Sequence, residues 1–242
     1  LKSGGPEYAY RVEIAPRAPR LTMSLPERTR YIATTLSVPS GNRMALMVNA
    51  ARQNFGGELN VTFEGLPSGM TAEALPMPAN RNEIPVLFSA APNAAPAGTL
   101  ADIQGRPVDE NLKIVGHLNQ RTLLVRGQNN RDVYGHNAHR MAAAVTKAAP
   151  FKLEIVQPKA PLVKNGQMQL KVVATRDEGF TAPIAIRMLY NPPGVGSSGS
   201  VSIPEGKSEA VIPVTANSGA SVGIWKIVVT GSATVGNGRV EV

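Results

Sequence analysis

NAARQNFGGELNVTFEGLPSGM, residues 49–70, returns in altered form as VATRDEGFTAPIAIRMLYNPPGV, residues 173–195. Each stretch has an arginine, an aromatic a few positions on, an alternating apolar run, and a Pro-containing turn near a glycine. Landmarks keep step further along. Arg52 matches Arg176 at 124 residues, Phe55 matches Phe180 at 125, and Pro78 with Pro204 and Gly105 with Gly231 match at 126. A drift of two residues is what small loop insertions produce. The interval is far longer than a solenoid repeat of about 20–50 residues and has the size of a domain. The chain is therefore expected to fold as one architecture built twice.

That architecture is legible in the alternation. Each copy offers a strand (MALMVNAAR, MQLKVVATR), a second (ELNVTFEGLP, PIAIRMLYNPP), a short segment closed by Pro (LPMP, VSIP), a further strand (EIPVLFSA, EAVIPVTA) and a last one leading to Gly (GTLADIQGR, GIWKIVVTGSA). Successive strand side chains point to opposite faces, so Leu59, Val61 and Phe63 share one face, as do Ile184, Ile186 and Met188. With 23 Gly and 20 Pro in 242 residues, turns are frequent, and helical periodicity is almost absent. Short strands at turn-punctuated spacing predict an antiparallel sandwich, two sheets with their dry faces together. Phe55 and Phe180 are expected near the base of the second strand, and Trp225 in a late core strand.

The expected division is residues 1–15, 16–149 and 150–242. GGPEYAYRVEI alternates Tyr8, Tyr10, Val12 and Ile14 but belongs to neither repeat. It reads as the last strand of a preceding domain, in a chain that opens without Met and so reads as a cut or processed piece. APRLTMSLPERTRYIATT opens the first sandwich, Pro150 closes it, and FKLEIV opens the second. The first copy carries an extension over residues 106–145. In it LKIVG, TLLVRG and HRMAAAVT read as strands and NNRDVYGHNAHR as a polar turn region.

GGPEYAYRVEI resembles the closing strand of the bacterial pre-peptidase C-terminal domain, a small β-sandwich appended to secreted proteins. ARQNFGGELNVTFEGLPSGM, NAAPAGTLADIQGR and RDEGFTAPIAIRM resemble the immunoglobulin-like repeats that trail that domain in large exported proteins of planctomycete-type bacteria. The resemblance spans nearly the whole chain, and its motifs describe strands and turns. YNPPGV departs from EGLPSGM but keeps Pro and Gly. It implies an all-β fold of two tandem immunoglobulin-like or fibronectin-like antiparallel β-sandwiches, and a part that is exported, modular and non-catalytic.

Composition narrows the chemistry. The formal net charge is +8, but no Lys/Arg run exceeds two and aromatics are 5%. A nucleic-acid surface needs clustered cations with stacking aromatics between them, so a solvated basic surface is the expectation. With no cysteine there is no thiol chemistry. No apolar run reaches the ~18 residues of a membrane span. No G-x-S-x-G elbow and no phosphate-cradling loop occurs. HNAH places His136 and His139 three apart, with Asp132 upstream, as candidate metal ligands. A zinc site wants three protein ligands, so solvated loop histidines are the plainer reading. The acidic pairs Asp109–Glu110 and Asp177–Glu178 read as turn decoration rather than calcium loops. Tyr31, Tyr134 and Tyr190, in polar or turn-like surroundings, are the candidate sugar-binding aromatics.

The expectation is thus a non-enzymatic spacer, adhesion or assembly module needing no cofactor and working in a secreted, periplasmic or cell-surface setting. Its partners would be other domains of the same polypeptide, cell-wall polysaccharide or another surface protein, with no nucleic acid and no membrane span. The alternative is a carbohydrate-binding accessory module of a secreted hydrolase or protease.

Overall fold

The computed structural model describes residues 16–242, and the strand expected over residues 8–14 lies outside them. In the first half one sheet comprises β1 (Arg20–Ser24), β3 (Arg43–Gln53), β5 (Met70–Ala74), β6 (Glu83–Ala90) and β8 (His117–Leu118), in the order β5-β6-β3-β1-β8. The facing sheet comprises β2 (Leu36–Pro39), β4 (Leu59–Glu64), β7 (Ala97–Pro107) and β11 (Met141–Thr146), in the order β2-β11-β7-β4. A hairpin of β9 (Gln120–Arg126) and β10 (Asp132–Ala138) stands apart from both. Renaming β1, β3, β6 and β5 as A, B, E and D, and β11, β7 and β4 as G, F and C, gives the sheet composition of an immunoglobulin sandwich. The opening strand divides between the sheets, β1 pairing antiparallel with β3 and β2 parallel with β11.

The second half repeats the plan. β12 (Phe151–Ile155), β13 (Gln167–Arg176), β15 (Val195–Ser197) and β17 (Glu209–Ala216) form one sheet, ordered β12-β13-β17-β15. β14 (Ile184–Tyr190), β16 (Val201–Ile203), β18 (Val228–Val235) and β19 (Gly238–Glu241) form the other, ordered β16-β14-β18-β19.

Each half has its own apolar cluster. In the first, Met44, Leu46, Val48 and Ala50 of β3 and Ile84, Val86, Phe88 and Ala90 of β6 are buried at every second position. Phe63 of β4 meets Phe88 edge to face at 5.1 Å, joining the two sheets. Burial of a Phe side chain contributes roughly 2–3 kcal/mol. In the second, Leu170, Val172, Ile184, Ile186, Ile212 and Val214 pack likewise, and Phe151 stacks on Phe180 at 5.6 Å.

The repeated landmarks are fasteners. Arg52 donates from Nη1 to the carbonyl of Arg81 at 2.7 Å and from Nη2 to those of Pro78 at 3.2 Å and Met77 at 3.3 Å. Arg176 donates from Nε to Lys207 O at 2.8 Å, from Nη1 to Ala182 O at 2.7 Å and from Nη2 to Pro204 O at 3.3 Å. Pro78 and Pro204 are counterparts, and so are Arg81 and Lys207. In both copies that turn closes alike, the N–H of its last residue bonding the proline carbonyl at 3.0 and 3.1 Å. The planar guanidinium, with donors in a fixed fork, is what lets one side chain tie the end of β3 or β13 to the turn before β6 or β17.

The repeated glycines mark close approach. A Cβ on Gly105 would overlap Met23 Sδ of β1, and one on Gly231 would overlap Leu153 of β12. Gly105→Val and Gly231→Val are each expected to destabilise their own sandwich by about 1–3 kcal/mol through overpacking, read as a lower denaturation midpoint of that half alone.

Four segments differ from the sequence reading. Residues 112–116 form no strand beyond the Gly105–Gly116 bridge, while the polar stretch at 132–138 is β10. HRMAAAVT supplies β11, which lies between β2 and β7 and so belongs to the sandwich itself. Trp225 lies outside any strand, half-buried, its Nε1 bonding Ser221 O at 3.2 Å. Its segment corresponds to the start of β7, where β11 is the pairing partner. In the second half β19 takes the place beside β18, pairing with Ser232–Val235, and Val242 bonds Gly231, so among the described residues no strand lies along residues 223–227.

Short contacts join the halves. The buried Asn42 Nδ2 donates to Phe151 O at 2.9 Å, and Arg28 Nη2 bonds both carboxylate oxygens of Glu241 at 2.6 and 2.7 Å. Lys226 pairs with Glu73. Between them β14 and β18 lie against β3.

Candidate interaction site

The hairpin of β9 and β10, here called the arm, occupies the connection between strands F and G. In variable immunoglobulin domains that loop is one of those used for recognition. It leaves the sandwich where the closing strand is interrupted. Gly116 bridges to Gly105, and Met141 pairs with Ala101. Residues 117–140 depart between those two pairs, and Leu118 crosses to lie beside Met23 of β1 in the core.

Opposite the break stands Asp102, only 3% exposed. Its Oδ2 lies 2.7 Å from His117 Nδ1 and accepts from Gln104 Nε2 at 3.3 Å. Its Oδ1 accepts the Leu118 N–H at 3.4 Å and lies 3.5 Å from Arg140 Nη1. His117 and Arg140 flank the arm, so a single buried carboxylate holds both of its ends. Burial pushes the Asp102 pKa up. The contacts with His117, the Leu118 N–H and Gln104 and the charge of Arg140 outweigh it, leaving the carboxyl below the ordinary aspartate value. In the register fixed by Gly105 and Gly231, the second copy has Val228 at this position, and β18 turns directly into β19.

Within the arm the Arg121 guanidinium lies across Gly135. It forms an ion pair with Asp132, with Nη2 donating to Oδ1 at 2.8 Å, and Nη1 reaches Asn137 Oδ1 at 3.3 Å. Hydrogen bonding to Asp132 raises the Arg121 pKa, and the same bond lowers that of Asp132. A side chain at 135 would leave Cβ 2.7 Å from Thr122 O and 3.2 Å from the Arg121 guanidinium carbon, so only glycine admits this arrangement. The far end of the arm rests on the β1–β2 connection. There Arg126 pairs with Glu27 and lies 5.4 Å from the Tyr31 ring centroid, while Arg30 Nη2 donates to Asn130 Oδ1 at 3.1 Å.

The residues singled out from sequence separate into two groups. Tyr134, 63% exposed, lies on β10 opposite Val125, and Tyr31, 51% exposed, lies beneath Arg126 at the same end of the arm. Tyr190, expected at an exposed turn, is instead buried as the last residue of β14. Its hydroxyl lies 3.5 Å from Arg81 Nη2 across the contact between the halves, so its ring offers no binding face. Asp132 is held by Arg121, His136 is part of β10, and His139 lies past its end. Among the described residues no three His, Cys, Asp or Glu side chains are placed to hold a metal ion. Asp109 accepts from the Asn111 N–H at 2.9 Å and so serves its own turn.

Asp102 was not singled out from sequence. Its partners at the two ends of the arm lie 15 to 38 positions away and nothing local marks them. The available signal was an acidic residue inside the apolar run GTLADIQGR, where the other copy has valine.

No protein-family model matches the chain, and no curated protein matches it. Among solved structures, the D00-D0 domain of intimin is similar over 92% of this chain and 96% of that one, with 7% identity and a TM-score of 0.25. The titin domains Z1Z2, solved in complex with telethonin, are similar over 94% of each chain, with 10% identity and a TM-score of 0.24. Likeness at this level carries no argument about fold or role. Strand order and pairing define the class: an all-β protein of two tandem immunoglobulin-like sandwiches. Among the described residues no helix is long and apolar enough to cross a membrane.

Proposed function

We propose that the chain is a non-catalytic spacer, adhesion or assembly module of an exported bacterial protein, its units being residues 16–149 and 150–242. In this reading residues 1–15 close a preceding domain of the pre-peptidase C-terminal kind, and the working partners are neighbouring domains and other surface molecules. The observation that carries it is the fastening of one sandwich to the other. A buried hydrogen bond (Asn42 side chain to the Phe151 backbone carbonyl) and two ion pairs (Arg28–Glu241 and Lys226–Glu73) join residues far apart in sequence. Such a pair positions whatever is attached to it, with the loops free to vary.

A second reading, a carbohydrate-binding accessory module, is favoured by Tyr31 and Tyr134, two exposed aromatics at one end of the arm. Binding of the full chain to immobilised polysaccharides and a bacterial cell-wall fraction, at low and near-physiological salt, separates the two. The module reading expects no binding to sugar that survives salt, since a basic surface gives only screened attraction. Salt-resistant binding lost in Tyr134→Ala or Tyr31→Ala would put the carbohydrate module in its place.

A further inference from the structure

We infer that the arm is a docking strand for an extended acidic polypeptide, which adds along the free edge of β10; this rests on the interaction-module reading. The first ground is backbone. β10 pairs with β9 alone, and among the described residues no strand lies along its other edge. An unpaired edge presents a row of N–H and C=O groups that an extended chain satisfies by pairing. Proline and lysine, which blunt natural edges, are absent from Asp132–Ala138.

The second ground is the side chains. Leu124, Val125, Val133 and Tyr134 are all exposed on one short hairpin. Three of them are aliphatic, which suits apolar side chains of a polypeptide; a sugar would want aromatic faces. Exposed apolar residues gathered in one place mark interaction surfaces more than residues scattered singly do.

The third ground is charge. Residues 119–140 carry four arginines against one aspartate and no glutamate. That aspartate, Asp132, is held by Arg121, and Glu27 beneath the arm is held by Arg126. Arg30 and Arg131 at the tip have no carboxylate partner among the described residues, Arg30 bonding only the Asn130 amide. The charge left over is positive, and the complementary partner is acidic. The Asp102 clasp fixes both ends of the arm beforehand, which lowers the ordering cost of binding.

The test uses the full chain with three synthetic dodecapeptides: alternating Glu-Val, alternating Lys-Val, and a Glu-Pro version unable to complete a ladder. Binding is followed by fluorescence anisotropy, and amide exchange is read at β10. The expected result is binding of the Glu-Val peptide at least ~10-fold tighter than either control, weakening as salt rises. Amides of β10 become protected, and affinity falls at least ~10-fold in Val133→Glu/Tyr134→Glu. Both substituted side chains are exposed. Should that variant fold poorly, Arg131→Glu at the turn is read instead. Equal binding of the Glu-Val and Lys-Val peptides, unprotected β10 amides, or affinity unchanged in the variants would overturn the inference. Arm-dependent capture of polysaccharide without peptide binding would also overturn it while leaving an interaction role in place; no arm-dependent binding to either would count against both.

Discussion

Arg52→Ala lowers the urea midpoint of the first sandwich and leaves the second unchanged; Arg176→Ala does the reverse. Each arginine donates to three backbone carbonyls, and a hydrogen bond to a charged group contributes about 1.5–3 kcal/mol. The sites are partly exposed and water replaces some of what is lost, so the expected cost is about 2–4 kcal/mol. With a urea slope of roughly 1–3 kcal/mol/M for a domain of this size, the midpoint falls by about 1–2 M. Lysine at either position restores little, because one ammonium cannot meet carbonyls spread along a turn. Trp225 is the only tryptophan and lies in the second half. Its fluorescence therefore follows that half while circular dichroism follows both. If Arg52→Ala moved the Trp225 transition as far as its own, the halves would unfold as one unit and the assignment of each arginine to its own sandwich would fail.

Asp102→Asn is expected to free the arm while leaving the sandwich folded. The carboxylate is the common partner of His117, Arg140 and the Leu118 N–H. Asparagine keeps the shape without the charge, so the bonds at both ends weaken together, at a cost of about 1–3 kcal/mol. Amide exchange would quicken over residues 120–138 while the amides of β3 and β6 stay protected. The pH dependence follows from the lowered pKa of Asp102. A carboxyl with a lower pKa folded than unfolded adds stability that is complete above its unfolded value of about 3.9 and is lost as pH falls through the folded value. Arm protection in the native chain should therefore hold at neutral pH and fall away below about pH 4. In Asp102→Asn it should already be low and change little across that window. Equal acid sensitivity in both proteins would show that another carboxylate holds the arm.

Alternation and duplication made the sandwich cores readable. ELNVTF and PIAIRM put the expected residues on one face because a strand alternates whatever its neighbours do, and Arg52 with Arg176, or Gly105 with Gly231, recur because each solves the same packing problem in each half. Where the reading missed, a partner distant in the chain made the choice. DVYGHNA has a polar turn composition, yet it is β10 because TLLVR lies beside it. GIWKI has strand composition, yet it stays irregular because β19 pairs further along β18 and no described strand lies beside it. Tyr190 sits beside a proline turn and is still buried, since the other half of the chain covers it.

The chain alone determined that this is a β protein made twice, and which side chains turn inward. Those properties follow from period-two geometry and composition, both local. Only the tertiary structure decided that Asp102 would clasp an arm by residues up to 38 positions away, and that Asn42 and Arg28 would bind residues more than a hundred positions on. Such pairings are fixed when two sheets close on each other and bring distant charges together out of water, and no local pattern records that event.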